Sequence, residues 1–333
     1  MDIAKNYLTR GPIVNEKDLN SLRKWYPVTL TEEEQPVLWW RNFGDIRFSK
    51  PFFDETIRQG MSVCKTTTES LSQFTSSDCI APSAFIFHSS RCGSTLLTQL
   101  LTKAPNCIVF SEPPIMDAVL QYCFHQPNRE AGISILKGVV RALGQRRLGE
   151  ERHLFIKLDS WHINLYPIIR EAFPEVPCFF MYRKPVEILA SHRRQRGPQM
   201  VPGLIDPEIL GVRIRTDFFD LDSFCLKVLS HFYKLAIRHS ETDQLVLINY
   251  NQLPQLVWTE FASLLSVHFS ESEILTMQER CIRHSKDPYT VFSEDKSEFT
   301  HDHERFEEVN GYYNTLEAIK NQSGIWNQAD SVG

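Results

Sequence analysis

The chain has 333 residues, 42% of them hydrophobic, and its 41 acidic and 36 basic side chains leave a net charge of -5. That length and apolar content suffice for one sizeable core with an appended subdomain, while the acidic balance excludes the basic surface that bulk nucleic-acid binding requires. No run approaches the ~18 apolar residues of a membrane helix, and the charged N-terminal stretch lacks the apolar core of a signal peptide, so a cytoplasmic protein with no membrane partner is expected.

Residues 1–80 show no clean alternation of strand and helix. They carry Trp25, Trp39 and Trp40, the segment RFSKPFFDETI at 47–57, and a Ser/Thr-rich stretch at 65–78 that reads as a linker. This first region is expected to be an N-terminal extension that caps a pocket or mediates homodimerisation, ahead of an α/β domain at 81–333. From residue 84 onward short apolar runs alternate with helical segments. Strands are expected at 85–88, 108–110, 154–158, 178–182 and 245–249, and helices at 94–101, 115–124, 131–143, 162–173, 185–194 and 221–239. Strands this short and apolar on both faces predict a parallel β-sheet flanked by helices, which binds ligands at the carboxyl ends of its strands. Residues 197–219, punctuated by proline and glycine, read as an ordered excursion or a lid, and the charged segment from 270 onward as mostly helical with a frayed tail. The eight cysteines form no Cys-x-x-Cys pair and several sit within apolar runs, a usage that fits a reduced compartment and supports neither disulfides nor a metal site.

The stretch at 84–101, AFIFHSSRCGSTLLTQLL, reads as strand, turn and helix. Such a turn directs successive backbone N–H groups into one concavity above the positive end of a helix dipole, so Ser89, Ser90, Arg91, Cys92, Gly93, Ser94 and Thr95 form a candidate anion cradle for phosphate or sulfate. A nucleoside triphosphatase loop would place a Gly-Lys pair before the Ser or Thr, and none is present. With its basic residue ahead of Gly-Ser-Thr, the loop resembles the 5′-phosphosulfate-binding loop of sulfotransferases, in the arginine-bearing form of tyrosylprotein and some bacterial carbohydrate enzymes. A second motif supports the resemblance: the strand FFMY ends on Arg183, and Ser191 follows eight positions later, about two turns into a helix. In sulfotransferases an arginine and a serine at these places bind the 3′-phosphate of 3′-phosphoadenosine 5′-phosphosulfate (PAPS). A guanidinium offers that phosphate a bidentate pair of donors. The neighbouring His192, Arg193, Arg194 and Arg196 read as a solvated helix face, and Arg141, Arg146, Arg147 and Arg152 as surface.

The resemblance covers roughly residues 82–300 and implies a P-loop-like sulfotransferase fold, PAPS as the donor and adenosine 3′,5′-bisphosphate as a product. It also implies a base for the acceptor hydroxyl. Glu112, in FSEPP, follows the second strand, where the tyrosylprotein and trehalose-type enzymes carry a catalytic glutamate; walled by prolines and apolar residues it is a candidate general base with a raised pKa, or else a loop acid capping the next helix. The segment KLDSW at 157–161 resembles the Lys-Thr-His segment of cytosolic sulfotransferases, with Asp159 where their histidine stands. Asp159 is therefore a second candidate base or an acceptor-positioning residue. Lys157 either steadies the sulfuryl group or snorkels from a strand end. Ser285 and Lys286 are similar to a segment that folds over the 5′ side of the donor in arginine-loop enzymes, and a helix end before Pro288 explains them equally. Sulfuryl transfer calls for no metal, and no ligand spacing predicts one. The expected activity is transfer to a small-molecule hydroxyl acceptor; the alternatives are a P-loop kinase using ATP and a nucleotide-binding module without turnover.

Overall fold

The computed structural model describes residues 3–213, 220–282 and 303–326. A three-stranded antiparallel sheet, β1 (Trp25–Glu32), β2 (Pro36–Asn42) and β3 (Val63–Thr67), precedes a five-stranded parallel sheet of β4 (Pro82–His88), β5 (Cys107–Ser111), β6 (His153–Lys157), β7 (Cys178–Tyr182) and β8 (Val246–Asn249) in the order β5-β6-β4-β7-β8. The helices are α1 (Ser94–Leu101), α2 (Pro114–His125), α3 (Arg129–Leu143), α4 (Tyr166–Ala172), α5 (Pro185–Arg194), α6 (Pro207–Leu210), α7 (Leu221–Asp243), α8 (Glu260–Leu264), α9 (Glu271–Cys281) and α10 (His303–Gln322). The protein is thus an α/β fold with a helix-flanked parallel sheet, as the apolar runs predict. Among the described residues no helix is long and apolar enough to cross a membrane.

The parallel strands form where the sequence leaves no polar face: every residue of β5 and β7 is buried. Such strands cannot lie at a solvated surface and are stable only when covered on both sides. The helices begin at residues suited to the task. Asn128 accepts from the Ala131 N–H at 3.1 Å to start α3, and Asp220 accepts from the Asp222 N–H at 2.9 Å to start α7.

The chain divides into two compact units. The first comprises residues 1–83, 101–158 and 167–176, and includes β1–β3, β5, β6, α2 and α3. Here the stretch 65–78 is not the linker its composition suggests: its first residues close β3, which pairs antiparallel with β2, and Thr68–Gln73 form a 3-10 helix with Leu71 buried. The hydroxyls that look linker-like are used internally, Thr66 bonding Ser70 at 2.8 Å and accepting from the Trp40 indole N–H at 2.8 Å. Arg147, expected at the surface, is half-buried with its guanidinium 4.7 Å from the Phe48 ring and 5.5 Å from that of Tyr26.

The second unit comprises residues 84–100, 159–166 and 177–333. Strand β7 lies between β4 and β8 in register, with His88 opposite Met181 and Tyr182 opposite Asn249. The helix expected at 162–173 begins as a 3-10 turn at Ser160–Leu165 and becomes α-helical only at Tyr166. Pro167 has no N–H to give to the turn before it, so a continuous ladder of i to i−4 bonds cannot cross that point. The basic run after Ser191 is a solvated face only in part: Arg193 and Arg194 are exposed, whereas His192 is fully buried and accepts from the Gly197 N–H, and Arg193 and Arg196 both pair with Asp222 of α7.

Candidate functional site

In the second unit the predicted cradle follows β4. Ser90 (φ +68°), Arg91 (φ +50°) and Gly93 (φ +84°) all adopt the left-handed conformation, which costs a non-glycine residue on the order of 1–3 kcal/mol and clusters where function requires it. Left-handed residues in a short turn swing neighbouring N–H groups to one side, the basis of anion-binding nests. The turn is held from below: the Ser89 N–H donates to the Met181 carbonyl at 2.9 Å, and the Ser90 N–H donates to His88 Nδ1 at 3.0 Å. Ser89, Cys92, Ser94 and Thr95 are buried. Burial acts to raise the Cys92 thiol, yet its interactions with His88 and Ser89 together outweigh this and hold the thiol below its ordinary value.

Gly93 is required by more than its φ. A Cβ there would lie 2.6 Å from Cδ2 and 2.9 Å from Cε2 of Tyr250. Tyr250 follows the end of β8, and its ring also carries the guanidinium of Arg183, with Cζ 4.0 Å from the ring centroid. One aromatic ring therefore separates the loop after β4 from the arginine after β7, both at the carboxyl edge of the same three strands. Arg183 is further fixed by a 2.5 Å bond from its Nε to Glu187, one turn on, and by the Tyr233 hydroxyl, which donates to its carbonyl. Ser191 is half-buried on α5, two turns along the helix that Arg183 precedes. The Arg91 guanidinium donates to the Gln195 carbonyl at 2.6 Å, at the C-terminal end of α5, where the helix dipole favours a cation.

Asp159 also belongs to this unit. It begins the 3-10 turn at Ser160–Leu165, its N–H donating to Nδ1 of the fully buried His162 at 3.2 Å with the carboxylate 3.9 Å from His162 Nε2. The carboxylate is thus engaged with its own turn.

In the first unit the structure brings together two residues that the sequence leaves apart. β5 and β6 run parallel with Ser111 opposite Lys157, and the Glu112 N–H donates to the Lys157 carbonyl at 2.8 Å. Glu112 takes the left-handed conformation (φ +53°), which turns its side chain back so that Oε1 lies 2.9 Å from Lys157 Nζ. Lys157 is fully buried and Glu112 is 22% exposed. Lys157 does not snorkel. Its ammonium lies between the carboxylate and the face of Phe52, 4.9 Å from the ring centroid.

The architecture has counterparts among solved structures. Solved sulfotransferases are among the structures to which the chain is similar. STF1 from Mycobacterium tuberculosis H37Rv is 13% identical over 61% of this chain and 72% of its own, with a TM-score of 0.40. The enzyme from Alicyclobacillus acidocaldarius is 14% identical over 73% of this chain and 95% of its own, with a TM-score of 0.39. The sulfotransferase domain of the Synechococcus PCC 7002 olefin synthase is 16% identical over 76% and 98%, also at 0.39. No protein-family model matches the sequence, and a search of curated proteins finds no match. The likeness is one of fold alone.

Of the predicted site residues, Ser89–Thr95, Arg183 and Ser191 share one strand edge or the helix leading from it, and Glu112 and Lys157 form one ion pair. Ser285 and Lys286 lie outside the described residues. Tyr250, Glu187 and Phe52 escape a reading by motif. The signal for Tyr250 was nonetheless present: an aromatic residue directly after the last strand of a parallel sheet stands at the ligand-binding edge.

Proposed function

We propose that the protein is a sulfotransferase that moves a sulfuryl group from PAPS to the hydroxyl of a small-molecule acceptor, with Glu112 as general base. The observation that carries this reading is the Gly93–Tyr250–Arg183 contact. It holds an anion cradle and a guanidinium one ring apart, a spacing suited to a ribose bearing anionic groups at both its 5′ and 3′ positions. A nucleoside triphosphate has no 3′-phosphate to engage Arg183.

Bound there, PAPS supplies an activated sulfuryl group joined to a phosphate leaving group. The loop N–H groups after β4 hold the 5′-phosphate and the charge that grows on it as the S–O bond breaks. Arg183 and Ser191 hold the 3′-phosphate, Arg183 through guanidinium N–H donors other than the Nε committed to Glu187. Arg91 turns from the Gln195 carbonyl toward the leaving oxygen. Glu112 takes the acceptor's O–H proton while the oxygen lone pair forms the new S–O bond, and adenosine 3′,5′-bisphosphate leaves with the electron pair of the broken bond. Lys157 steadies the carboxylate, and Asp159 keeps its turn in place.

Glu112→Gln tests the assignment. It is expected to leave the affinity for adenosine 3′,5′-bisphosphate within about twofold while lowering sulfation ~10²–10⁴-fold, the usual contribution of a positioned base. Full activity in that variant would remove Glu112 from the role. Magnesium-dependent ATP binding by the wild type, without affinity for the bisphosphate, would replace the reading with that of a kinase, and bisphosphate binding without transfer to any acceptor with that of a binding module.

A further inference from the structure

The segment at 47–57 is bound to the strand that delivers Glu112. Phe48 and Phe53 pack on Phe110 of β5 with ring centroids 4.5 and 5.9 Å away, and Phe110 stands two residues before Glu112. Arg147 clamps the outer side of this cluster through its stacking on Phe48, and Arg47 donates to the Ala104 carbonyl at 3.1 Å. The backbone from 47 to 53 is therefore fixed relative to the carboxyl end of β5. Phe52 points differently from its neighbours. Pro51 and Phe53 are buried, whereas Phe52 is half-buried and covers the Lys157 ammonium.

Lys157 thereby joins two partly exposed groups: its Nζ is 2.9 Å from the Glu112 carboxylate and 4.9 Å from the centre of the Phe52 ring. A hydroxyl offered to Glu112 brings the rest of its molecule against that ring. The face of the Phe52 ring gives a polyhydroxylated acceptor no hydrogen-bond partner for its remaining hydroxyls, and unpartnered polar groups are costly to desolvate. An anionic acceptor would face the carboxylate of Glu112. The ammonium that would answer it is already committed to Glu112.

We propose that the N-terminal segment at 47–57 is the acceptor-side wall of the site, that Phe52 is its specificity-determining residue, and that the acceptor is an uncharged aryl alcohol stacked on that ring. The proposal rests on the reading of Glu112 as the acceptor base. It gives a catalytic use to a region whose sequence shows only an aromatic-rich extension.

The test titrates the full chain with 2-naphthol, followed by the probe's own fluorescence, and separately with adenosine 3′,5′-bisphosphate by calorimetry. Saturable naphthol binding is expected in the wild type. Phe52→Ala should weaken it by about tenfold, the scale of one lost aromatic contact with its buried area, while Phe52→Tyr should stay within about threefold. Phe52→Leu keeps cover over Lys157 and serves if the alanine variant is poorly folded; it too should bind naphthol less tightly than Phe52→Tyr. Bisphosphate affinity should be equal in all variants. Unchanged naphthol affinity in both Phe52→Ala and Phe52→Leu would overturn the proposal, as would saturable binding of methyl glucoside by a wild type that does not bind naphthol. A wild type that binds naphthol through Phe52 but not the bisphosphate would instead overturn the donor assignment, so the two failures are distinguishable.

Discussion

Replacing Gly93 by alanine adds one methyl group and tests the contact on which the nucleotide assignment rests. The added carbon is strained twice. At φ +84° an L-residue pays on the order of 1–2 kcal/mol against its own carbonyl. The new Cβ then lies 2.6 Å from Tyr250 Cδ2 and 3.0 Å from Leu253 Cδ1, closer than carbon atoms approach without displacement, and overpacking of this kind typically costs a further ~1–3 kcal/mol. The expected loss of stability is their sum, about 2–5 kcal/mol, read by urea denaturation as a lower midpoint with an unchanged slope. Relief of the clash requires the Tyr250 ring to move, and the Arg183 guanidinium stacked 4.0 Å from its centroid moves with it. Hydrogen bonds to a charged group contribute about 1.5–3 kcal/mol, so misplacing Arg183 should weaken adenosine 3′,5′-bisphosphate binding by tenfold or more on the same scale. Truncating Tyr250 to alanine in the Gly93→Ala background removes the two shortest contacts and leaves the backbone strain and the Leu253 contact, so it should recover part of the lost stability and none of the affinity. A Gly93→Ala protein with wild-type stability and wild-type bisphosphate affinity would refute both the packing argument and the role given to Tyr250.

Two further outcomes are expected in the same unit. Arg183→Lys replaces a planar fork by a point charge that neither stacks on Tyr250 nor bonds phosphate bidentately, so bisphosphate affinity should fall about tenfold or more while affinity for adenosine 5′-phosphosulfate, which lacks the 3′-phosphate, is unchanged in competition calorimetry. His239 is buried against Tyr166, the rings 4.3 Å apart, and burial, aided by Arg238, lowers its pKa to about 4. The unfolded chain takes up this proton near pH 6.5 and the folded protein only near pH 4, so stability is retained above the unfolded value and declines as pH falls through this window, by up to about 3 kcal/mol. Denaturation midpoints measured between pH 7 and 4 should show this slope, and His239→Gln should flatten it.

The parts of this fold that are legible in one sequence are those whose signal is local. β7 and the helix after it match their expected ranges because five consecutive apolar residues, a terminal arginine and a proline at the first helical position leave few other conformations. The loop after β4 is legible for the same reason. The antiparallel sheet is not, because β2 finds β3 across a connection that runs from residue 42 to residue 63, and neither strand alternates strictly enough to announce its partner. The Glu112–Lys157 pair has the same origin: 45 positions separate the two residues, and only the β5–β6 register, Ser111 opposite Lys157, brings them together. Register is a property of pairs of strands.

Backbone strain points to the same places from another direction. Six described non-glycine residues have positive φ: Lys24, Ser90, Arg91, Glu112, Gln244 and Ser266. Gln244 ends α7 as its left-handed cap, an ordinary use of this conformation. Ser90, Arg91 and Glu112 have no helix to end. Each instead follows the carboxyl end of a buried parallel strand, where the flanking main chain is fixed by neighbours, the Ser89 N–H by Met181 and the Glu112 N–H by Lys157. A left-handed residue persists only where its surroundings over-determine it, and covered parallel strands supply that rigidity. The strained turns thus aim the loop N–H groups in one unit and the Glu112 carboxylate in the other at the cost of local stability. Relaxing either turn into ordinary backbone would recover that stability and lose the direction in which those groups point.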